Sequence, residues 1–199
     1  MRNTVSPYFF LLLSILGFAQ IDCSDQRSGN KTMSNEELVA RGKYLANFGG
    51  CNDCHSPKIM TNMGPVPDTT KLLSGHPEGG QLPPIDTSIT NSKGVFTTMD
   101  LTAWAGPWGI SFPINLTPDG ETGIGNWTEE VFFKAMREGK HLGAGRPILP
   151  PMPWQSLASL KDEDLRAIFL YLKSLKPVHN KVLDPIAPNM VAQTANKGK

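Results

Sequence analysis

The chain has 199 residues, with 19 basic and 18 acidic side chains and a formal net charge of +1. Its length predicts one domain with an elaboration. The balanced charge, with no basic run interleaved with aromatics, argues against a nucleic-acid binder, and 17 prolines and 19 glycines predict much ordered loop and few long elements.

Residues 1–19 have the form of a secretion signal. Arg2 supplies a positive start, and Tyr8 to Phe18 (YFFLLLSILGF) is an apolar run of 11 residues, short of the ~20 that a spanning helix needs. Gly17-Phe18-Ala19 has small residues placed for cleavage after Ala19. Residues 20–33 are mostly polar and are expected to form a flexible tether. Cys23 has two readings there. It is the lipidated first residue of a membrane-attached lipoprotein, against which Asp22 counts, or a free thiol.

The first helix is predicted from Ser34. Ser34 and Glu37 form a capping box, with Met33 and Leu38 at the hydrophobic-staple positions. Leu38, Gly42, Leu45 and Phe48 mark its apolar face. A glycine on that face points to another helix crossing closely. Gly49-Gly50 ends the helix directly before Cys51-Asn52-Asp53-Cys54-His55.

C-x-x-C-H is the attachment signature of a c-type haem. Two thiols three positions apart can each add to one vinyl group of the same porphyrin, and the next imidazole can ligate the iron. Zinc needs four ligands, but the only other cysteine is Cys23 and no His pair has suitable spacing. A thioredoxin-like C-x-x-C needs a βαβ context, and nothing around the motif reads as strand.

Residues 56–113 carry eight Pro and seven Gly and no convincing helix. A loop this long is functional or an insertion with its own packing. Val95 to Thr98 and Ala103-Trp104 suggest a short β-hairpin, with Trp104, Trp108 and Trp127 closing the lobe or filling core. A helix is predicted over 128–138, from Thr128 to Gly139, with Val131, Phe132, Ala135 and Met136 inward. A last helix is predicted over 162–175. It begins acidic and ends with Lys173 and Lys176, as the helix dipole favours. Leu165, Ile168, Phe169, Leu172 and Leu175 form its buried stripe, and Pro177 stops it.

The iron's sixth position is either open, for a small ligand, or closed by a side chain. Thioether ligation favours reduced iron. The candidates are Met60, Met63, Met99, Met136, Met152 and Met190. Met152 is the strongest, because Pro150, Pro151 and Pro153 stiffen its loop and bias it toward extended geometry. Its alternative is an apolar plug over the haem. Met136 lies on a helix face and reads as core. His76, His141 and His179 are the imidazole alternatives, His141 foremost, although a loop histidine is more often a surface residue.

These residues resemble the class I c-type cytochromes, and more closely the single-haem cytochromes and cytochrome subunits of bacterial periplasmic oxidoreductases. The likeness covers about residues 34–178. It is carried by Cys51 to His55, Asn115-Leu-Thr-Pro-Asp119, Thr122 to Trp127, Gly145-Arg-Pro147, Pro150-Pro-Met-Pro-Trp154 and the DEDL opening of the last helix. It implies an all-α fold with first and last helices crossed near a right angle, Gly42 facing Tyr171 or a neighbour. It implies His55 and Met152 as axial ligands, and Trp127 and Arg146 near the haem propionates. It suggests the carbonyl of Pro65 as the acceptor for the His55 ring. His55 and Met152 stand 97 positions apart, so residues 66–112 are an insertion relative to the minimal fold, and 179–199 are expected as a tail. The sequence as a whole predicts an exported single-haem c-type cytochrome with one covalent haem c, carrying electrons between redox proteins. The alternatives are a haem enzyme or gas-binding protein with an open sixth site, and an obligate subunit of a larger dehydrogenase or oxidase complex.

Overall fold

A computed structural model describes residues 33–83 and 87–195. The expected secretion signal, and Cys23 with most of the expected tether, lie outside the described residues. The fold is mostly helical with small sheets. Helix α1 (Asn35–Phe48) begins at the predicted capping box: Ser34 Oγ accepts from the Glu37 amide at 3.2 Å and Glu37 accepts from the Ser34 amide at 2.7 Å. The short α2 (Cys51–His55) carries the motif. Helix α3 (Glu129–Glu138) is capped by Thr128 and ends at Gly139; α4 (Trp154–Ala158) is one turn; α5 (Asp162–Ser174) follows.

The main apolar core lies among α1, α3 and α5, with Ala46, Phe132, Ala135, Met136, Leu165, Ile168, Phe169 and Leu172 buried together. Gly42 is the close contact of α1 with α5. A Cβ there would overlap the Ala167 carbonyl and stand 2.8 Å from Tyr171 Cβ. Arg41 Nε pairs with Asp164 at 2.5 Å alongside. One expectation fails on α1. Phe48 is 81% exposed and stacks on Tyr44, while Leu38, Gly42 and Ala46 are the buried residues. At 3.6 residues per turn, Phe48 stands about 140° round from the face centred on Gly42 and Ala46.

Among the described residues, the long segment after the motif adds five short strands to the helical frame. β1 (Lys58–Thr61) and β2 (Gly64–Pro67) form an exposed antiparallel hairpin. β3 (Phe96–Thr97), β4 (Trp104–Gly106) and β5 (Gly109–Ser111) form an antiparallel sheet in that order. The expected hairpin is its first pair, with Phe96 opposite Ala105 and Thr97 opposite Trp104. This lobe has its own core of Ala103, Ala105, Ile110, Phe112 and Val191. Val191 belongs to α6 (Pro188–Ala195), and Ile110 and Ile186 exchange backbone hydrogen bonds at 2.8 and 2.9 Å. The segment expected as a tail is therefore built into the lobe. Asn180 is buried and donates to the carbonyls of Ser74 and His76 at 2.6 and 2.8 Å.

The packing at Gly42 yields a stability test. Gly42→Leu forces α1 from the Ala167 carbonyl, an overpacking cost of about 1–3 kcal/mol or more. Denaturant unfolding of the haem-loaded protein should show a clearly lower midpoint. An unchanged midpoint would exclude this contact.

Candidate functional site

Gly50, in the left-handed region at φ 68°, turns the chain from α1 into α2. Cys51 and Cys54 then fall on one face of a single turn, the i, i+3 relation, and both are free and half-buried. Burial pushes the Cys51 thiol up to about 11 and the Cys54 thiol up as well. Cys51 packs against the main apolar core. Ser56, fully buried, donates to Asn52 Oδ1 at 2.8 Å and accepts from the Leu73 amide at 2.9 Å. Lys58 closes the end of α2. Its ammonium donates to the carbonyls of Ser56 (2.6 Å), Asp53 (2.8 Å) and Asn52 (3.2 Å), and to that of Asp100 (3.2 Å) in the insertion.

His55 is buried, and burial holds its pKa down to about 4, so the ring is neutral at pH 7. Its Nδ1 stands 2.8 Å from the Ile114 carbonyl oxygen. A carbonyl only accepts, so Nδ1 carries the proton and Nε2 carries the lone pair. That is the tautomer a metal needs, oriented by an outer hydrogen bond. The acceptor is Ile114 and not Pro65. Pro65 is exposed on β2, paired with Met60, because the chain leaves the motif as an outward hairpin. Residues 73–76 and 113–116 run side by side past the motif instead: the Gly75 amide bonds the His55 carbonyl (2.7 Å), His76 bonds Pro113 (3.0 Å), and Leu116 bonds Leu73 (2.8 Å). Gly75 is at φ 83°, and a Cβ on it would lie 2.5 Å from the Pro113 oxygen.

A cavity of about 540 Å³ extends from Ile114 to Trp127, His141 and Arg146. Arg146 is half-buried, and the one hydrogen bond of its side chain among the described residues is a long 3.5 Å contact with the neighbouring Pro147 carbonyl. The indole N–H of Trp127 and both ring nitrogens of His141 have no hydrogen-bond partner among the described residues, and the two rings meet edge to face at 5.5 Å. The Trp127 N–H and the Arg146 guanidinium are donors to spare on this wall, which suits a ligand bearing carboxylates, while Glu121 and Asp184 line the same cavity. The loop that carries Trp127 is held by Asn115, which donates to the Val178 carbonyl (2.8 Å) and to Thr122 (3.1 Å), and by Asp119, which accepts from the Thr122 amide and hydroxyl at 2.8 and 2.7 Å.

The other candidates separate by burial. Met60, Met63, Met99 and Met190 are exposed, Met63 by 95%, and Met136 is core. Met152 is half-buried and packs against the same apolar cluster as Cys51 and Trp127. Ser111 Oγ donates to the Pro150 carbonyl at 2.6 Å, bracing the Met152 loop from β5. His179 is exposed near Asp119 at 3.7 Å. His76 is 3% exposed, packed on Phe112, with Nδ1 2.9 Å from Thr102 Oγ1. Among the described residues no group of three or more His, Cys, Asp or Glu could hold a metal ion, so C-x-x-C has no second ligand pair there for zinc.

No family model matches the chain. It is 33% identical over 161 residues to the gluconate 2-dehydrogenase cytochrome c subunit of Pantoea cypripedii, covering 81% of this chain and 26% of that protein. It is 32% identical over 154 residues to the cytochrome c subunit of the quinone alcohol dehydrogenase of Gluconobacter oxydans, covering 76% of this chain and 25% of that protein. The chain is homologous to cytochrome c subunits of bacterial dehydrogenases. A shorter match, 38% over 77 residues, is to the fructose dehydrogenase cytochrome subunit of Gluconobacter japonicus, covering 38% of this chain and 16% of that protein. The chain spans about a quarter of the length of the first two relatives. Cytochrome c homologues imply haem c, and the residues fit it: two thiols on one turn, a neutral imidazole with its outer nitrogen fixed, and a cavity whose far wall offers unpaired donors.

Lys58, which sequence patterning did not single out, supplies the test of this site. Lys58→Met strands carbonyls at the end of α2, a loss of about 1–3 kcal/mol for a buried acceptor left without its donor. Unfolding of the haem-loaded variant should show that loss. Full parental stability would mean that Lys58 does not brace the motif.

Proposed function

We propose that the chain is an exported c-type cytochrome with one covalent haem, carrying one electron at a time between redox proteins and catalysing no reaction of its own. The observation that carries this is the buried His55 ring, its Nδ1–H held by Ile114 one residue after a paired Cys51 and Cys54. Bound haem supplies the Fe(III)/Fe(II) couple, and the protein's work is attachment, orientation and tuning. Cys51 and Cys54 attach the porphyrin through thioethers. His55 Nε2 is the proximal ligand and the Met152 thioether the sixth ligand, with Met152 supported by its place beside Cys51 and Trp127 on one core. Trp127 and Arg146 take the propionates. The packing of α1 on α5 at Gly42 supports the cytochrome c-like crossing of first and last helices. The signal-like form of residues 1–19 supports a periplasmic or otherwise exported protein, soluble or held by a lipidated Cys23.

A second reading has support of its own. The homologues are named as subunits of dehydrogenases, so a place as the cytochrome subunit of such a complex fits the same site. Copurification with a dehydrogenase subunit separates it from a free carrier.

Denaturing mass spectrometry should find one haem retained on the chain, and loss of all haem in acid acetone would overturn the reading. Met152→Ala should lower the reduction potential, because a soft ligand that favours Fe(II) is gone, and should open the reduced iron to CO. Met136→Ala should instead cost about 2–5 kcal/mol through a core cavity and leave the iron closed. A CO-inert Met152→Ala protein at parental potential would assign the sixth site to another side chain.

A further inference from the structure

We propose that His141 takes up a proton when the iron is reduced, so that the far end of the cavity is a redox-linked proton site. This rests on the haem reading above. His141 opens a turn, His141–Gly143, held from both sides: its amide donates to the Arg146 carbonyl at 2.9 Å, and its carbonyl accepts from the Gly145 amide at 2.8 Å. The ring lies against the edge of Trp127 and lines the cavity beside Arg146. Neither ring nitrogen is committed among the described residues, so either can hold a proton toward the cavity.

Of the protein's own charged groups around it, His141 is the one that can switch; the propionates proposed at Trp127 and Arg146 are the other titratable groups of the haem-loaded site, and the His141→Gln arm below separates them from the ring. Glu121 faces the cavity from the loop before α3, Arg146 from the His141 loop, and Lys181 and Asp184 from the segment after α5. Lys140 adjoins it, and the stem of Lys134 on α3 packs at Gly143. Arginine and lysine stay charged and carboxylates stay ionised through neutral pH; histidine alone ordinarily titrates between pH 5 and 8. Of the other histidines, His55 is the proposed ligand, His76 is buried on Thr102, and His179 is exposed beside Asp119. Burial and then Arg146 hold the His141 pKa down, while Asp184 supports its charge.

The balance is one electron from the redox partner and one proton from solvent. Neutral imidazole becomes imidazolium as ferric iron becomes ferrous, and the net charge of the site is unchanged. Reduction removes one positive charge, so a nearby cation is less repelled and the His141 pKa rises. The reduction potential must then fall with rising pH between the His141 pKa of the oxidised protein and that of the reduced protein, and be flat on either side.

The test is a redox titration of the haem-loaded full chain across pH 5–9, for the parent and for His141→Gln, alongside NMR titration of the His141 ring in both oxidation states. A tenfold tighter hold on the proton after reduction corresponds to a total fall of 59 mV in the parent, and His141→Gln should remove that fall. NMR should show a higher His141 pKa in the reduced protein, a readout that needs no variant. An unaltered pH profile in His141→Gln, or one His141 pKa in both states, overturns the proposal. CO binding by reduced His141→Gln also overturns it, by making the ring an iron ligand. Absence of covalent haem in the parent removes the haem reading itself, which separates the two failures.

Discussion

The hydrogen bond from His55 to the Ile114 carbonyl is the constraint on which the rest of the site depends. It spans 59 positions of sequence and decides two things at once. It sets the ring's tautomer, leaving the outer nitrogen with its lone pair. It also requires residues 113–116 to return to the motif, alongside residues 73–76. Asn115, the next residue after Ile114, then ties the same segment to the exit of α5 through the Val178 carbonyl. One short stretch thus joins the attachment helix, the loop that carries Trp127 and the end of the last helix.

The insertion gains a structural purpose from this arrangement. Its two ends are fixed against the motif, and its body reaches both faces of the site. Asp100 accepts from Lys58, which closes α2. Ser111 donates to Pro150 in the loop that carries Met152. A network joins the two regions to the lobe's interior: Thr102 Oγ1 donates to Asp100 Oδ2 at 2.7 Å and meets His76 Nδ1 at 2.9 Å. Because that hydroxyl proton points to the carboxylate, His76 must donate from Nδ1. Hydrogen bonds rather than an extended apolar core hold this part of the lobe to the site, as expected of a segment dense in proline and glycine.

Local signals in the sequence were legible, and long-range ones were not. The capping box at Ser34, the α3 span with its Thr128 and Gly139 ends, the α5 span and the close approach at Gly42 all follow from spacing and residue type. C-x-x-C-H identifies Cys51, Cys54 and His55 because the chemistry needs adjacent groups. Phe48 went astray because one apolar residue at a helix end carries little periodicity. Ile114 was illegible: its carbonyl does the work, and a carbonyl has no sequence signature. The family resemblance pointed to the carbonyl of Pro65 instead, a proline that follows the motif in the chain. The burial of Asn180 and Val191 was equally hidden, since both take their partners from the insertion.

The wall formed by Lys181 to Asp184 has a consequence for how the site is closed. The motif, Trp127 and Arg146 all precede α5 in the chain, whereas this wall follows it. Its position depends on Asn180 reaching the Ser74 and His76 carbonyls. One flank of the cavity is therefore built by chain that follows the last core helix and is anchored to the segment just beyond the motif, so the site is closed by residues far in sequence from those that define it.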